Sequence, residues 1–125
     1  MNIVSDVRQA RRGPVTSPEA GTHAGIFEFP AEHPIFSGHF PEYPLVPGVY
    51  LLQSLWLVLC LGTQSTPVLK SVRTTRFQAQ VRPPCTYQAV VKIQTDRQIT
   101  LVRGEVICAG QKAAEALFEL AAPTL

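Results

Sequence analysis

Residues 36–62 read FSGHFPEYPLVPGVYLLQSLWLVLCLG, from Phe36 to Gly62. A histidine, His39, sits in a loop of prolines and glycines that runs directly into an apolar segment. Proline suits the first turn of a helix because its missing N–H has no intrahelical partner there, so Pro47 marks a helix start, and Gly62 is placed to end it. Apolar residues fall on all sides of this helix, which predicts that it is buried. Its polar interruption is Gln53-Ser54, and the function of the chain turns on why a buried helix tolerates it.

On the N-terminal side, AGIFEFP alternates Ile26 and Glu28 against Phe27 and Phe29 and stops at Pro30, the pattern of a short strand. Residues 1–22 are polar, carry Arg8, Arg11 and Arg12, and contain Gly13, Pro14 and Pro18; they are read as a partly mobile segment with no assigned chemistry, preceding a domain over 23–125. After Gly62 the period changes to two. PVLKSVRTTRFQAQV supplies one bent strand or two, TYQAVVKIQT alternates up to an Asp-Arg turn, ITLVRGEVICA follows, Gly-Gln turns the chain, and KAAEALFELA closes it. One buried helix followed by an antiparallel meander predicts an α+β fold, a curved sheet wrapped around a single long helix.

With 125 residues, 46% of them hydrophobic, the chain suits one domain with a real core. A formal charge of +2 is small for a nucleic-acid surface, and no DNA- or RNA-binding motif accompanies the arginines. Cys60, Cys85 and Cys108 are odd in number and lack a Cys-x-x-Cys pair. They are read as core thiols in a reducing compartment, without a disulfide framework or a metal site. Leu55 to Leu61, the longest later apolar run, is too short to span a bilayer, and the N-terminus has no continuous apolar stretch, so a cytoplasmic location is expected.

The segment GHFPEYPLVPGV resembles the active-site segment of the hotdog-fold 3-hydroxyacyl-[acyl carrier protein] dehydratases, roughly G-H-F-P-x-x-P-x-x-P-G-V. RFQAQVRPP is similar to that family's strand R-F-x-x-P-V-x-P-G-D, and AAEALFELA to its closing V-A-E-A strand. The departures matter: Pro84-Cys85 replaces the strand's Gly-Asp, Glu42 stands where glycine is common, and Gln53 occupies the helix position that carries the family's acid. The resemblance implies a hotdog fold, an acyl carrier protein or coenzyme A thioester as substrate, no metal or redox cofactor, and a dimer whose two subunits share each site. The second subunit could be another copy or a different hotdog chain.

Dehydrating a 3-hydroxyacyl thioester needs a base for the proton beside the carbonyl, a stabiliser for the enolate-like oxygen, and an acid for the departing hydroxyl. His39 fits the base, since imidazole titrates near neutral pH. Gly48 fits the second need through backbone N–H groups at a helix start, where the dipole is positive. Gln53 fails the third: an amide hydrogen-bonds a hydroxyl but supplies no proton at neutral pH. The resemblance makes Phe40, Pro47, Val49 and Trp56 contacts for the substrate, although Trp56 also fits a core role. His33 reads as a structural residue at the strand exit and Glu42 as a solvated loop residue. Lys70, Arg73, Arg76 and Arg82 are either solvated strand charges or a dock for an acidic carrier. The resulting reading is a 3-hydroxyacyl-thioester dehydratase, or a subunit of one, in fatty-acid or polyketide-like synthesis. A non-catalytic acyl-binding or stabilising subunit is the alternative, and a thioesterase or double-bond isomerase a further one.

Overall fold

Helix α2, Gly48–Thr63, begins directly after Pro47, which serves as its N-cap. The computed structural model describes residues 2–36 and 44–122. Gly62 does not end the helix. Gln64 does so instead, in a left-handed conformation with its N–H turned back to the carbonyls of Cys60 and Leu61. Glycine is required at 62 for another reason: a side chain there would run into the ring of His23. Seven residues of α2 are buried: Tyr50, Leu51, Ser54, Leu55, Leu57, Val58 and Leu59. Val49, Leu52, Gln53, Trp56 and Cys60 stay partly or fully accessible. At 100° per residue these five form a single stripe, so the expectation of a helix buried all round is corrected.

The helix is wrapped by six antiparallel strands in the order β1-β2-β4-β5-β6-β3. These are β1 (Arg11–Glu19), β2 (Thr22–Glu28), β3 (Leu69–Phe77), β4 (Thr86–Asp96), β5 (Ile99–Cys108) and β6 (Gln111–Leu120). The period-two segments therefore fold as the sequence predicts, with the ambiguous stretch before Phe77 forming one strand carrying two register shifts against β6. Two-residue turns join the last three strands. Arg97 and Gln98 both take positive φ, and so do Ala109 and Gly110, the backbone geometry that matches the twist of a tight hairpin.

The reading of residues 1–22 needs correction. Ile3–Ala10 form helix α1, capped by Asn2, whose side chain accepts from the Ser5 N–H at 3.0 Å, and Val7 and Ala10 are buried. Strand β1 then pairs with β2 at the sheet edge. Its glycine and prolines fit there because an edge strand tolerates missing donors, and the ladder shifts register between Arg12 and Thr16 and again between Thr16 and Glu19. A second correction concerns the cysteines. Cys85 and Cys108 form a disulfide, leaving Cys60 as the free thiol. The pairing follows from strand register: Tyr87 lies opposite Cys108, which brings the entry to β4 beside the end of β5. The reducing compartment inferred from three thiols loses that support. Among the described residues, no helix is long and apolar enough to cross a membrane.

The core is continuous from α1 through α2 to the sheet, with Phe27, Phe29 and Tyr87 stacked beneath the helix. Packing of α2 is concentrated on β1, β2, β4 and β5. The β6-β3 margin is left thinly covered. On β3, Val72 and Phe77 lie opposite Phe118 and Ala114, share their face of the sheet, and are 45% and 54% exposed.

Candidate active site

The two polar residues that interrupt α2 have separate jobs. Ser54 points into the core and is fully buried. Its Oγ donates to the Tyr50 carbonyl at 2.8 Å and lies 2.8 Å from the Tyr87 hydroxyl. Burial, offset in part by the Ser54 hydrogen bond, pushes ionisation of Tyr87 far above the ordinary tyrosine range, so this phenol stays neutral. Gln53, one residue earlier, lies on the open stripe. Its side-chain amide makes no hydrogen bond among the described residues. It lines a cleft of about 370 Å³ together with Leu52, Trp56, Leu69 and Phe118. Trp56 meets the edge of Phe118 at 6.2 Å between ring centroids. The structure therefore puts Trp56 on the cleft wall as well as against the core.

Gly48 opens the helix a turn and a half before Gln53. A Cβ at this position would come within 2.7 Å of the outer end of the Phe77 ring, which lies across the helix start and would have to swing aside. Pro47 caps without a side-chain hydrogen bond, while the Tyr50 and Leu51 N–H groups fold back to its carbonyl. The neighbouring Val49 is half-exposed at the head of the stripe. A smaller cavity of about 260 Å³ lies beside this helix start, lined in part by Gly48, Leu51, Phe77 and Val81. One side of α2 thus carries the candidate oxyanion donor, the candidate polar partner and an apolar wall in succession. His39, Phe40 and Glu42 lie outside the described residues.

His33 behaves as the sequence predicts. Its Nδ1 accepts from the Ile35 N–H at 3.1 Å and its ring stands edge-on to Phe29 at 5.1 Å, fixing the exit from β2. The cationic cluster is more heavily paired than expected. Lys70 and Arg73 share the Glu119 carboxylate at 3.3 and 2.7 Å, and Arg76 pairs with Glu115 at 3.4 Å. The hydrogen bond from Arg73 holds the Glu119 carboxyl below its ordinary range, aided by Lys70. This strip is a mixed-charge ladder, and Arg82 lies off it in the connection from β3 to β4. The carboxylates were visible in KAAEALFEL, where Glu115 and Glu119 share one face of β6 by period two.

The Tyr50 hydroxyl was not anticipated. It donates to Asp6 at 3.2 Å, tying α2 to the N-terminal helix. Burial and the Asp6 carboxylate raise its ionisation. The second polar contact found only in three dimensions joins Ser17 Oγ and His23 Nδ1 at 2.7 Å. Among the described residues, no group of three or more His, Cys, Asp or Glu side chains is placed to hold a metal.

Comparison with known proteins agrees with this geometry. The family model described as ApeI-like, ApeI dehydratase, matches residues 16–114. The 3-hydroxyacyl-[acyl-carrier-protein] dehydratase FabZ of Clostridioides difficile is 31% identical over 112 residues, covering 78% of this chain and 79% of that protein. Among solved structures, the dehydratase heterocomplex ApeI:P from Xenorhabdus doucetiae superimposes with a TM-score of 0.65 at 21% identity, over 88% of this chain and 99% of that one. The PaaI protein of Escherichia coli, from the phenylacetic acid degradation operon, gives 0.71 at 12% identity, over 96% and 85%. These last two likenesses show the shared hotdog fold, one helix wrapped by an antiparallel sheet. A match that takes in the β2 strand, the segment containing His39, α2 and most of the remaining sheet identifies the chain as a member of the ApeI-like dehydratase family of hotdog proteins.

Proposed function

We propose that the chain is a subunit of a 3-hydroxyacyl-thioester dehydratase acting on carrier-linked acyl chains, and that its partner supplies the acid it lacks. The observation that carries this reading is Gln53: an amide with no hydrogen bond among the described residues, on the open stripe of α2, where the resemblance expects a carboxyl group. In the reaction, His39 takes the proton from C2. The N–H groups at the Gly48 helix start stabilise the negative charge developing on the thioester oxygen. The C3–O bond then breaks, C2 and C3 become doubly bonded, and the hydroxyl leaves as water once a proton reaches it. That proton comes from the partner's acid; Gln53 faces the dimer's other site, where its amide can hold a substrate hydroxyl by a hydrogen bond but supplies no proton.

The open stripe and the exposed β3 edge support assembly with a second hotdog chain. An edge strand open on its outer side and carrying exposed Leu69, Val72 and Phe77 is costly to leave in water. The Xenorhabdus doucetiae protein is a dehydratase heterocomplex, an assembly of the kind this chain's missing acid calls for. In a mixed dimer His39 faces the partner's acid, and one site per dimer works. Alone, two copies provide two histidines and no acid. The mixed-charge strip of Lys70, Arg73 and Arg76, together with Arg82 of the β3–β4 connection, is the proposed approach surface for an acidic carrier.

The test is dehydration of 3-hydroxyacyl-carrier substrates, followed by enoyl-thioester absorbance, for the isolated chain and for the chain copurified with a second hotdog protein. The isolated chain should run slower than the mixed dimer by roughly 10²- to 10⁴-fold, the usual cost of a lost general acid. His39→Ala should silence the mixed dimer while acyl binding persists. Equal rates for the isolated and mixed forms would defeat the incomplete-site reading. Inactivity of both, with binding retained, would favour a purely acyl-binding subunit.

A further inference from the structure

The cleft beside Gln53 has a direction and an end. Phe77 lies across Gly48 at the helix start, and eight residues earlier on β3 Leu69 lines the cleft with Trp56. Strand β3 thus runs back along the open side of α2, from the candidate oxyanion donor to the indole. Gln53 lies between them, and Trp56 follows it by three residues, about 4.5 Å along the helix axis. The indole is braced: its ring meets the edge of Phe118, itself 3% exposed, at an interplanar angle of 86°. A large aromatic ring held against the core forms a fixed wall.

We propose that Trp56 limits the length of the acyl chain this site accepts. The inference rests on the acyl-thioester reading above and deepens it. With C3 of the substrate beside Gln53, a zigzag of C–C bonds each about 1.5 Å long needs about four further carbons to cover that turn. Chains of about seven carbons therefore reach the indole, and longer ones must displace it or fold back. At an apolar pocket wall a single methylene changes selectivity by roughly 10- to 200-fold, enough to register as a break in a length series.

Trp56 is the sole tryptophan of the chain and so reports on its own role. The probes are non-reacting S-alkyl pantetheine thioethers carrying four, six, eight, ten and twelve carbons, added to the full chain in its purified assembly and, if it copurifies with a partner, compared with that partner alone. Four-carbon probes should bind without changing Trp56 emission, whereas those of eight carbons and more should change it. Calorimetric affinity should rise with length up to about seven or eight carbons and then level off. In Trp56→Ala the rise should continue, with at least a tenfold gain for the twelve-carbon probe over wild type. Trp56→Leu, which keeps an apolar side chain against Phe118, is measured in parallel and should show a smaller gain in the same direction. Its profile decides the matter if the alanine variant does not fold.

Identical length profiles in wild type and the folded variants, or emission indifferent to probe length, would overturn the proposal even in an active dehydratase. A length-dependent signal in a protein that dehydrates nothing would uphold the proposal and remove the catalytic reading alone. Absence of binding at every length would overturn both.

Discussion

Removing the Ser54 hydroxyl should expose how much of the core depends on one buried polar pair. In Ser54→Ala the Tyr87 hydroxyl loses its partner inside a stack formed with Phe27 and Phe29, where Tyr87 is 1% exposed and water cannot replace serine. An unsatisfied buried hydroxyl costs about 1–3 kcal/mol. Tyr87→Phe should cost less, about 0.5–1.5 kcal/mol, because Ser54 Oγ keeps its 2.8 Å bond to the Tyr50 carbonyl. The double variant removes both partners and should be more stable than the sum of the single losses implies, by about 1 kcal/mol. Urea unfolding at one fixed protein concentration, with all four proteins, measures this coupling. Strict additivity would show that the 2.8 Å contact contributes nothing. The pH dependence follows from the raised ionisation of Tyr87. A raised folded value stabilises fully below the unfolded tyrosine value near 10, and the contribution is lost as the pH climbs beyond it. Wild type should therefore lose stability above about pH 10 more steeply than Tyr87→Phe.

Three further outcomes are expected. Gly104→Ala puts a Cβ 2.8 Å from the fully buried Leu55 side chain, so overpacking should cost about 1–3 kcal/mol in urea unfolding; an unchanged midpoint would contradict the packing described. Glu119 has a lowered folded value, so its contribution is present above the unfolded glutamate value near 4.3 and fades as the pH falls through the folded one; Glu119→Gln should flatten the loss of stability measured between about pH 5 and 3. Alkylation of the unreduced, unfolded chain should label one thiol, Cys60, and peptide mapping should recover Cys85 joined to Cys108; three labelled cysteines would remove the disulfide.

What the sequence made legible was periodic or punctuated. Pro47-Gly48 announced α2, and alternation announced β4, β5 and β6, because local rules suffice when each strand is half-buried. Helix α1 is hard to read although Ile3, Val7 and Ala10 share a face by helical spacing, because the surrounding charges and breakers conceal it. Strand β1 carries Gly13, Pro14 and Pro18, and only its edge position makes them tolerable. The Cys85–Cys108 pairing depends on register between β4 and β5, which spacing alone does not encode. For Gln53 and Ser54, adjacency in sequence concealed opposite destinations, since a 100° rotation separates a cleft from the core. The catalytic assignment of His39 comes from its Gly-His-Phe-Pro context, whereas the cleft shared by Gln53, Trp56, Leu69 and Phe118 emerges only when β3 and β6 are placed beside α2.

The most direct test of the account is the dehydratase activity of the isolated chain before and after Gln53→Glu. The new carboxyl would sit among Leu52, Trp56, Leu69 and Phe118, an apolar setting that raises its ionisation and keeps a proton available near neutral pH. Wild type should be slow and Gln53→Glu faster by at least about tenfold, part of the 10²- to 10⁴-fold that a positioned acid contributes. An isolated wild type already as fast as the mixed dimer, with no gain from Gln53→Glu, would make the glutamine a working catalytic residue and contradict the claim that this chain carries an incomplete site.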